Sequence, residues 1–100
     1  MEAFPHVEGF EWDGGNARKS EDKHGVSQAE AEQVFLNAPI LLFKDELHSA
    51  MEDRFHALGR TDEGRFLHVT FTLRHAGTRI RVISARNMHR KERSRYAEET

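Results

Sequence analysis

Seven histidines, fifteen Lys/Arg and no cysteine in 100 residues define the chemistry open to this chain. The lack of cysteine excludes disulfides, thiolate zinc sites and a nucleophilic thiol. No His-Glu-x-x-His, Gly-x-Ser-x-Gly, phosphate-binding loop or dinucleotide fingerprint is present, which removes zinc proteolysis, serine hydrolysis, nucleotide-driven work and hydride transfer. His48, His56 and His68 are the nearest approach to metal-ligand spacing. They lie across a loop and two predicted strands, so they read as non-ligands and no metal or cofactor is expected. What remains is a strand-borne arginine set, Arg60, Arg74, Arg79, Arg81 and Arg86, beside a few groups able to move protons.

The elements that must position these groups follow from periodicity. Phe10-Glu11-Trp12 reads as a short strand, and Asp13 as the N-cap of a polar helix running to about Lys23 that needs a neighbour such as Trp12 to dock it. Gly25 is its left-handed C-terminal residue. Ser27 and Glu30 form a capping box for a second helix, with Ala31, Val34, Phe35 and Ala38 at helical spacing and Pro39 as its stop. Strands are expected at Ile40 to Phe43, Phe55 to Gly59, Arg65 to Arg74 and Arg79 to Arg86, the third with Leu67, Val69, Phe71 and Leu73 on one side. A charged helix from Met88 to about Glu98 closes the chain. The expectation is one α+β domain over residues 1–100: amino-terminal helices, an antiparallel meander and a carboxy-terminal helix.

Leu, Ile, Val and Phe total 22 residues, enough for a small core that a partner would stabilise. The longest apolar run, Pro39 to Phe43, is far too short to span a membrane, so a soluble, unprocessed, cytoplasmic protein is expected. Net charge is −2, yet residues 1–64 carry 6 Lys/Arg against 14 Asp/Glu and residues 65–100 carry 9 against 3. The basic end either contacts a polyanion through a local patch or is a solvated surface paired with the acidic half.

The ordered series Phe10-Glu11-Trp12-Asp13, Lys23-His24-Gly25-Val26-Ser27, Arg54-Phe55, Leu58-Gly59-Arg60, Thr70-Phe71-Thr72, Arg79 to Arg86 ending Ile-Ser-Ala-Arg, and Glu92 to Tyr96 resembles the BrnT-type toxins of bacterial toxin-antitoxin pairs. The resemblance implies a RelE-like ribonuclease fold and a metal-independent endoribonuclease that blocks translation. It also implies an antitoxin partner with a ribbon-helix-helix domain, a two-plus-two heterotetramer, and operator DNA bound through the antitoxin.

Metal-free RNA cleavage needs a base for the 2′-hydroxyl, a cation over the phosphorane oxygens and an acid for the leaving oxygen. His24 lies in the family's Lys-His-Gly motif and either transfers protons or caps its helix. Lys23 beside it either attracts phosphate or is solvated. Arg60 and Arg86 sit at strand ends, where they can reach a shared groove or instead pair with the acidic half. Arg79 and Arg81 lie within a strand, either phosphate-binding or structural. Tyr96, the single tyrosine, resembles the carboxy-terminal tyrosine of RelE-like nucleases and is also suited to packing. Glu52 is an alternative base or the acidic partner of Arg54. Trp12 is a lid over the first helix or a base-stacking platform. The alternative to an enzyme is a non-catalytic binding subunit of an antitoxin and operator complex; a metal-dependent hydrolase is a more distant third.

Overall fold

The computed structural model describes residues 4–100. Eight elements occur in the order β1 (Gly9–Phe10), α1 (Lys19–His24), α2 (Gln28–Leu36), β2 (Leu41–Lys44), β3 (Phe55–Arg60), β4 (Phe66–Arg74), β5 (Arg79–Asn87) and α3 (Arg90–Glu99). They form an α+β fold around one sheet of order β1-β5-β4-β3-β2. The meander β2 to β5 is antiparallel as its hairpin turns dictate, and β1 adds a short parallel pairing through Gly9 opposite Arg79 and Phe10 opposite Ile80. Among the described residues no helix is long and apolar enough to cross a membrane.

Period-two alternation gives the sheet two unlike faces. Ala57, Leu67, Val69, Phe71, Ile80, Val82 and Ala85 pack under α2 with Val26, Ala31, Val34 and Phe35. Phe71 is the hub, in edge contact with Phe35 (4.9 Å between centroids) and Phe4 (5.7 Å). Helix α2 forms as its sequence dictates: Ser27 Oγ accepts from Glu30 N (3.1 Å), and the Glu30 carboxylate accepts from Ser27 N (3.1 Å). Its close approach to β3 depends on Gly59, where a Cβ would lie 2.8 Å from Val34 Cγ1.

The polar helix expected from Asp13 is shorter than its sequence suggested. Asp13 Oδ1 captures the N–H of Gly15 (2.8 Å), so residues 14–18 run as turns and α1 begins at Lys19. Asn16 then bridges two carbonyls, Glu11 O (3.0 Å) and Val82 O (2.9 Å), while Ser20 Oγ accepts from Ala85 N (2.8 Å). These side chains complete the edge of β5 where β1 ends. Trp12 donates to Glu32 Oε2 (2.7 Å), so it docks against α2 rather than over the first helix. Gly25, at φ 67°, ends α1 in the left-handed region as expected. Helix α2 stops at Leu36, before Ala38 and Pro39, and Ala38 is exposed.

One irregularity decides where the basic side chains go. Thr70 pairs with Ser84, but Phe71 pairs with Val82, leaving Ile83 as a bulge in β5. Unbroken alternation from Ile80 and Val82 would aim Arg86 into the core. The extra residue puts Ala85 in the core instead and turns Arg86 to the other face, opposite His68.

Candidate functional site

The second face carries His56, Leu58 and Arg60 from β3, Phe66, His68, Thr70 and Thr72 from β4, and Arg81, Ser84 and Arg86 from β5. Helix α3 covers one end of it through Tyr96, which with Met88 just before the helix packs on Leu58 beside Leu41 and Phe43. The segment 45–54, between β2 and β3, flanks the other. Between them lies an open cavity of about 460 Å³ whose walls include Asp45, His48, Arg54, His56, His68, Thr70, Ser84 and Arg86.

Asp45 organises this cavity. Its Oδ1 accepts the backbone N–H groups of Leu47 (3.1 Å) and His48 (3.0 Å), folding the loop back on itself. Its Oδ2 meets His48 Nδ1 (3.0 Å) and His56 Nε2 (3.1 Å). Burial pushes the Asp45 carboxyl up, but the hydrogen bonds from His48 and His56 outweigh it and hold the group below the usual carboxylate range. An ionised carboxylate only accepts, so it assigns a proton to each of those ring nitrogens. His56 is then occupied at both ends, its Nδ1 accepting from Thr70 Oγ1 (3.0 Å). His48 is not: its Nε2 has no hydrogen-bond partner among the described residues, and its side chain is 67% exposed.

The cavity floor is built for charge. His68 is buried, its ring tilted against the His56 ring with 4.7 Å between centroids, and pushed down to about 4 by burial first and by the Arg86 cation second, so it is neutral near pH 7. Arg86 grips Glu92 with both guanidinium nitrogens (2.9 and 3.0 Å), and Glu92 also takes the His89 N–H (2.8 Å) at the start of α3. Burial alone would raise the Glu92 carboxyl; the hydrogen bonds from Arg86 and His89 bring it down to about 2. Arg54 lines the cavity with no ion-pair partner among the described residues, held in place by its backbone bonds to Ser49 Oγ (3.0 Å) and Asp45 N (2.8 Å).

Over residues 12–92 the chain matches the family described as ribonuclease toxin, BrnT, of type II toxin-antitoxin system. The chain belongs to the BrnT family. It is therefore a type II toxin of the ribonuclease class, and its system implies an antitoxin partner. No individual curated protein matches it.

Against this family background, the residues selected from sequence fall in several places. Arg86 lies in the cavity. Arg60 does not share it: Arg60 lines a separate hollow with Asn37, Thr61 and Asp62 and donates to Ala38 O (3.1 Å), because Leu58, Phe66 and Tyr96 pack between the two arginines. Tyr96 is buried, donates to Pro39 O (2.6 Å) and has its hydroxyl pushed up by burial. Glu52 pairs with Arg74 (3.1 Å) rather than with Arg54, since Arg74 projects from the end of β4 toward the loop. Arg81 is held by Glu11 (2.8 Å) and Asp13 (2.9 Å), which occupy its guanidinium. Arg79 is half-buried beside Gly9. Lys23 and His24 end α1 on the far edge of β5, where the His24 carbonyl accepts from Arg65 (3.4 Å).

Sequence reasoning passed over Asp45 and Arg54 as site residues, and weighed His48, His56 and His68 only as metal ligands before setting them aside. A signal was present. In a hairpin turning at residues 61–64, positions of equal parity share a face, so His56, His68 and Thr70 had to meet once that register was recognised.

Proposed function

We propose that the chain cuts RNA without a metal in the cavity between Asp45, His48, Arg54 and Arg86, and that this cleavage blocks translation. The observation that carries the reading is the Asp45 and His48 pair: a carboxylate fixes Nδ1–H and leaves the Nε2 lone pair open to solvent, in a cavity also lined by Arg54, which has no acidic partner among the described residues. In the reaction the ribose 2′-oxygen bonds to phosphorus while His48 Nε2 takes its proton. The bond from phosphorus to the 5′-oxygen breaks, and water in the open cavity protonates that oxygen, leaving a 2′,3′-cyclic phosphate. Arg54 neutralises the phosphorane oxygens. Arg86, oriented by Glu92, adds a second cation at the cavity wall, and neutral His68 keeps the floor from repelling it.

The donor set supports a metal-free route. His48 and His56 both turn a ring nitrogen to one carboxylate, which commits those donors to each other. Purified toxin is expected to cut RNA in excess chelator, leave cyclic phosphate ends and spare the same sequence in DNA. Cleavage abolished by chelator and restored by magnesium would overturn this mechanism.

The partner set follows the same reading: a ribbon-helix-helix antitoxin, a two-plus-two assembly with operator DNA bound through it, and a cytoplasmic site of action on RNA. His24, Arg60, Tyr96, Glu52, Lys23, Arg79 and Arg81 stand outside this mechanism and serve as its controls. The reading as a non-catalytic binding subunit draws on one observation, that Arg81 and Arg86 are already neutralised by Glu11, Asp13 and Glu92. Harmless expression at verified abundance would favour it.

A further inference from the structure

Helix α3 divides the second face of the sheet. On the flank away from the histidine cavity lies a second groove of about 780 Å³, floored by Phe66, Met88, Tyr96 and Ala97 and rimmed by Arg90 and Arg93. A hollow of about 480 Å³ along Gly64, Asn87 and Met88 shares Phe66, Met88 and Arg93 with it, so the two form one channel along α3. Phe66 is among the few large apolar side chains left more than a third exposed, with the Arg93 guanidinium 5.3 Å from its ring centre.

The charge around this channel is one-sided. From Arg90 to Arg95, α3 carries Arg90, Lys91, Arg93 and Arg95 against Glu92 alone, and Glu92 is turned inward onto Arg86. Arg95 is neutralised by Glu99 (2.8 Å), whereas Arg90 and Arg93 have no acidic partner among the described residues. A polyanionic RNA would satisfy the rim and leave the apolar floor in water. An amphipathic protein segment with carboxylates beside its apolar face satisfies both.

We infer that the channel between α3 and the start of β4, floored by Phe66, Met88 and Ala97 and rimmed by Arg90 and Arg93, is where the antitoxin docks an acidic amphipathic segment. The distance from Arg90 to Ala97 along the helix, about 10 Å, accommodates roughly two turns of such a segment. This deepens the partner part of the proposed function, and it does not depend on the cleavage chemistry. Docking here leaves the Asp45 and His48 pair untouched, because α3 stands between.

The experiment uses the full toxin and the antitoxin co-expressed from the native locus. Ala97→Arg fills the channel from an exposed position, and Arg93→Glu reverses its rim. Each is expected to weaken the complex at least 100-fold by titration calorimetry, while RNA cleavage by the free toxin stays within twofold of wild type and melting temperature is unchanged. Hydrogen exchange on the wild-type complex is expected to show protection at residues 64–68 and 88–97. Unaltered affinity in both variants, with protection confined to other segments, would overturn the inference. Reduced RNA binding with unchanged antitoxin affinity would also overturn it and make the channel an RNA surface. A wild-type toxin that cuts no RNA but loses its antitoxin in these variants would sink the proposed cleavage and leave the docking site standing.

Discussion

The two faces of this sheet solve different problems with the same strands. Toward α2, Val69, Phe71, Ile80 and Val82 are essentially dry, and each is replaceable only by something of its own shape. On the other face the same strands present His56, His68, Thr70, Ser84 and Arg86 to a cavity that a helix and a loop only partly cover. Stability resides in the first face, and the proposed reaction in the second. Since neighbouring residues of one strand serve opposite faces, adjacent substitutions should separate the two properties.

The largest effect is expected from the packed face. Phe71→Ala removes the hub of the aromatic cluster and should cost about 3–5 kcal/mol, enough to unfold much of a small domain. The neighbouring Thr70→Ala, which removes the hydroxyl that holds His56, should cost about 1 kcal/mol. Denaturant titration of both variants checks this, and comparable losses would erase the distinction between faces.

His68 gives the next effect, one that depends on pH. Its folded pKa of about 4 lies below the ordinary histidine value, so the unfolded chain binds more protons between the two. The stability that neutral His68 maintains is therefore complete above about pH 6.5 and is lost as pH falls toward 4, by about 3 kcal/mol. His68→Phe should flatten the stability profile in that window and leave the separate loss near pH 2 to 4.5, where Glu92 protonates, in place. Melting temperatures measured from pH 7 to pH 4 decide the point; an unchanged slope in the variant would show that His68 is not the group responsible.

The smallest effect on folding is expected at Arg54. Its side chain has no ionic partner among the described residues, so Arg54→Ala should change stability by no more than about 0.5 kcal/mol. RNA affinity should fall at least tenfold, with a shallower salt dependence. Filter binding at two salt concentrations alongside a melting curve tests both halves.

How much of this was legible in the sequence also divides by face. The core helix α2, its capping box, the meander and the dry side of β4 follow from local rules: Ser27 with Glu30, Gly25 in the left-handed region, and Leu67, Val69 and Phe71 at period two. The start of the polar helix did not, because Asp13 and Asn16 spend their side chains on turns and on the edge of β5, a tertiary demand that propensity cannot register. The candidate site was less legible. The bulge at Ile83 that turns Arg86 outward leaves no mark in composition, and Asp45 gathers histidines 3 and 11 residues away by a loop that has no motif. His24 stood out because it sits in a motif; His48 did not, because its partner is a loop carboxylate with no characteristic spacing.

Proton transfer is proposed for His48 and not for the motif histidine. The direct test is the single-turnover rate of RNA cleavage in chelator for wild type, His48→Gln and His24→Gln, with thermal unfolding recorded on the same preparations. His48→Gln is expected to slow cleavage by about 10²-fold or more at unchanged melting temperature, the usual worth of a positioned acid or base, and His24→Gln to retain the wild-type rate per folded molecule. A His48→Gln toxin with full activity, or a His24→Gln toxin that is folded and inactive, would contradict it and move the reaction to the α1 edge of the sheet.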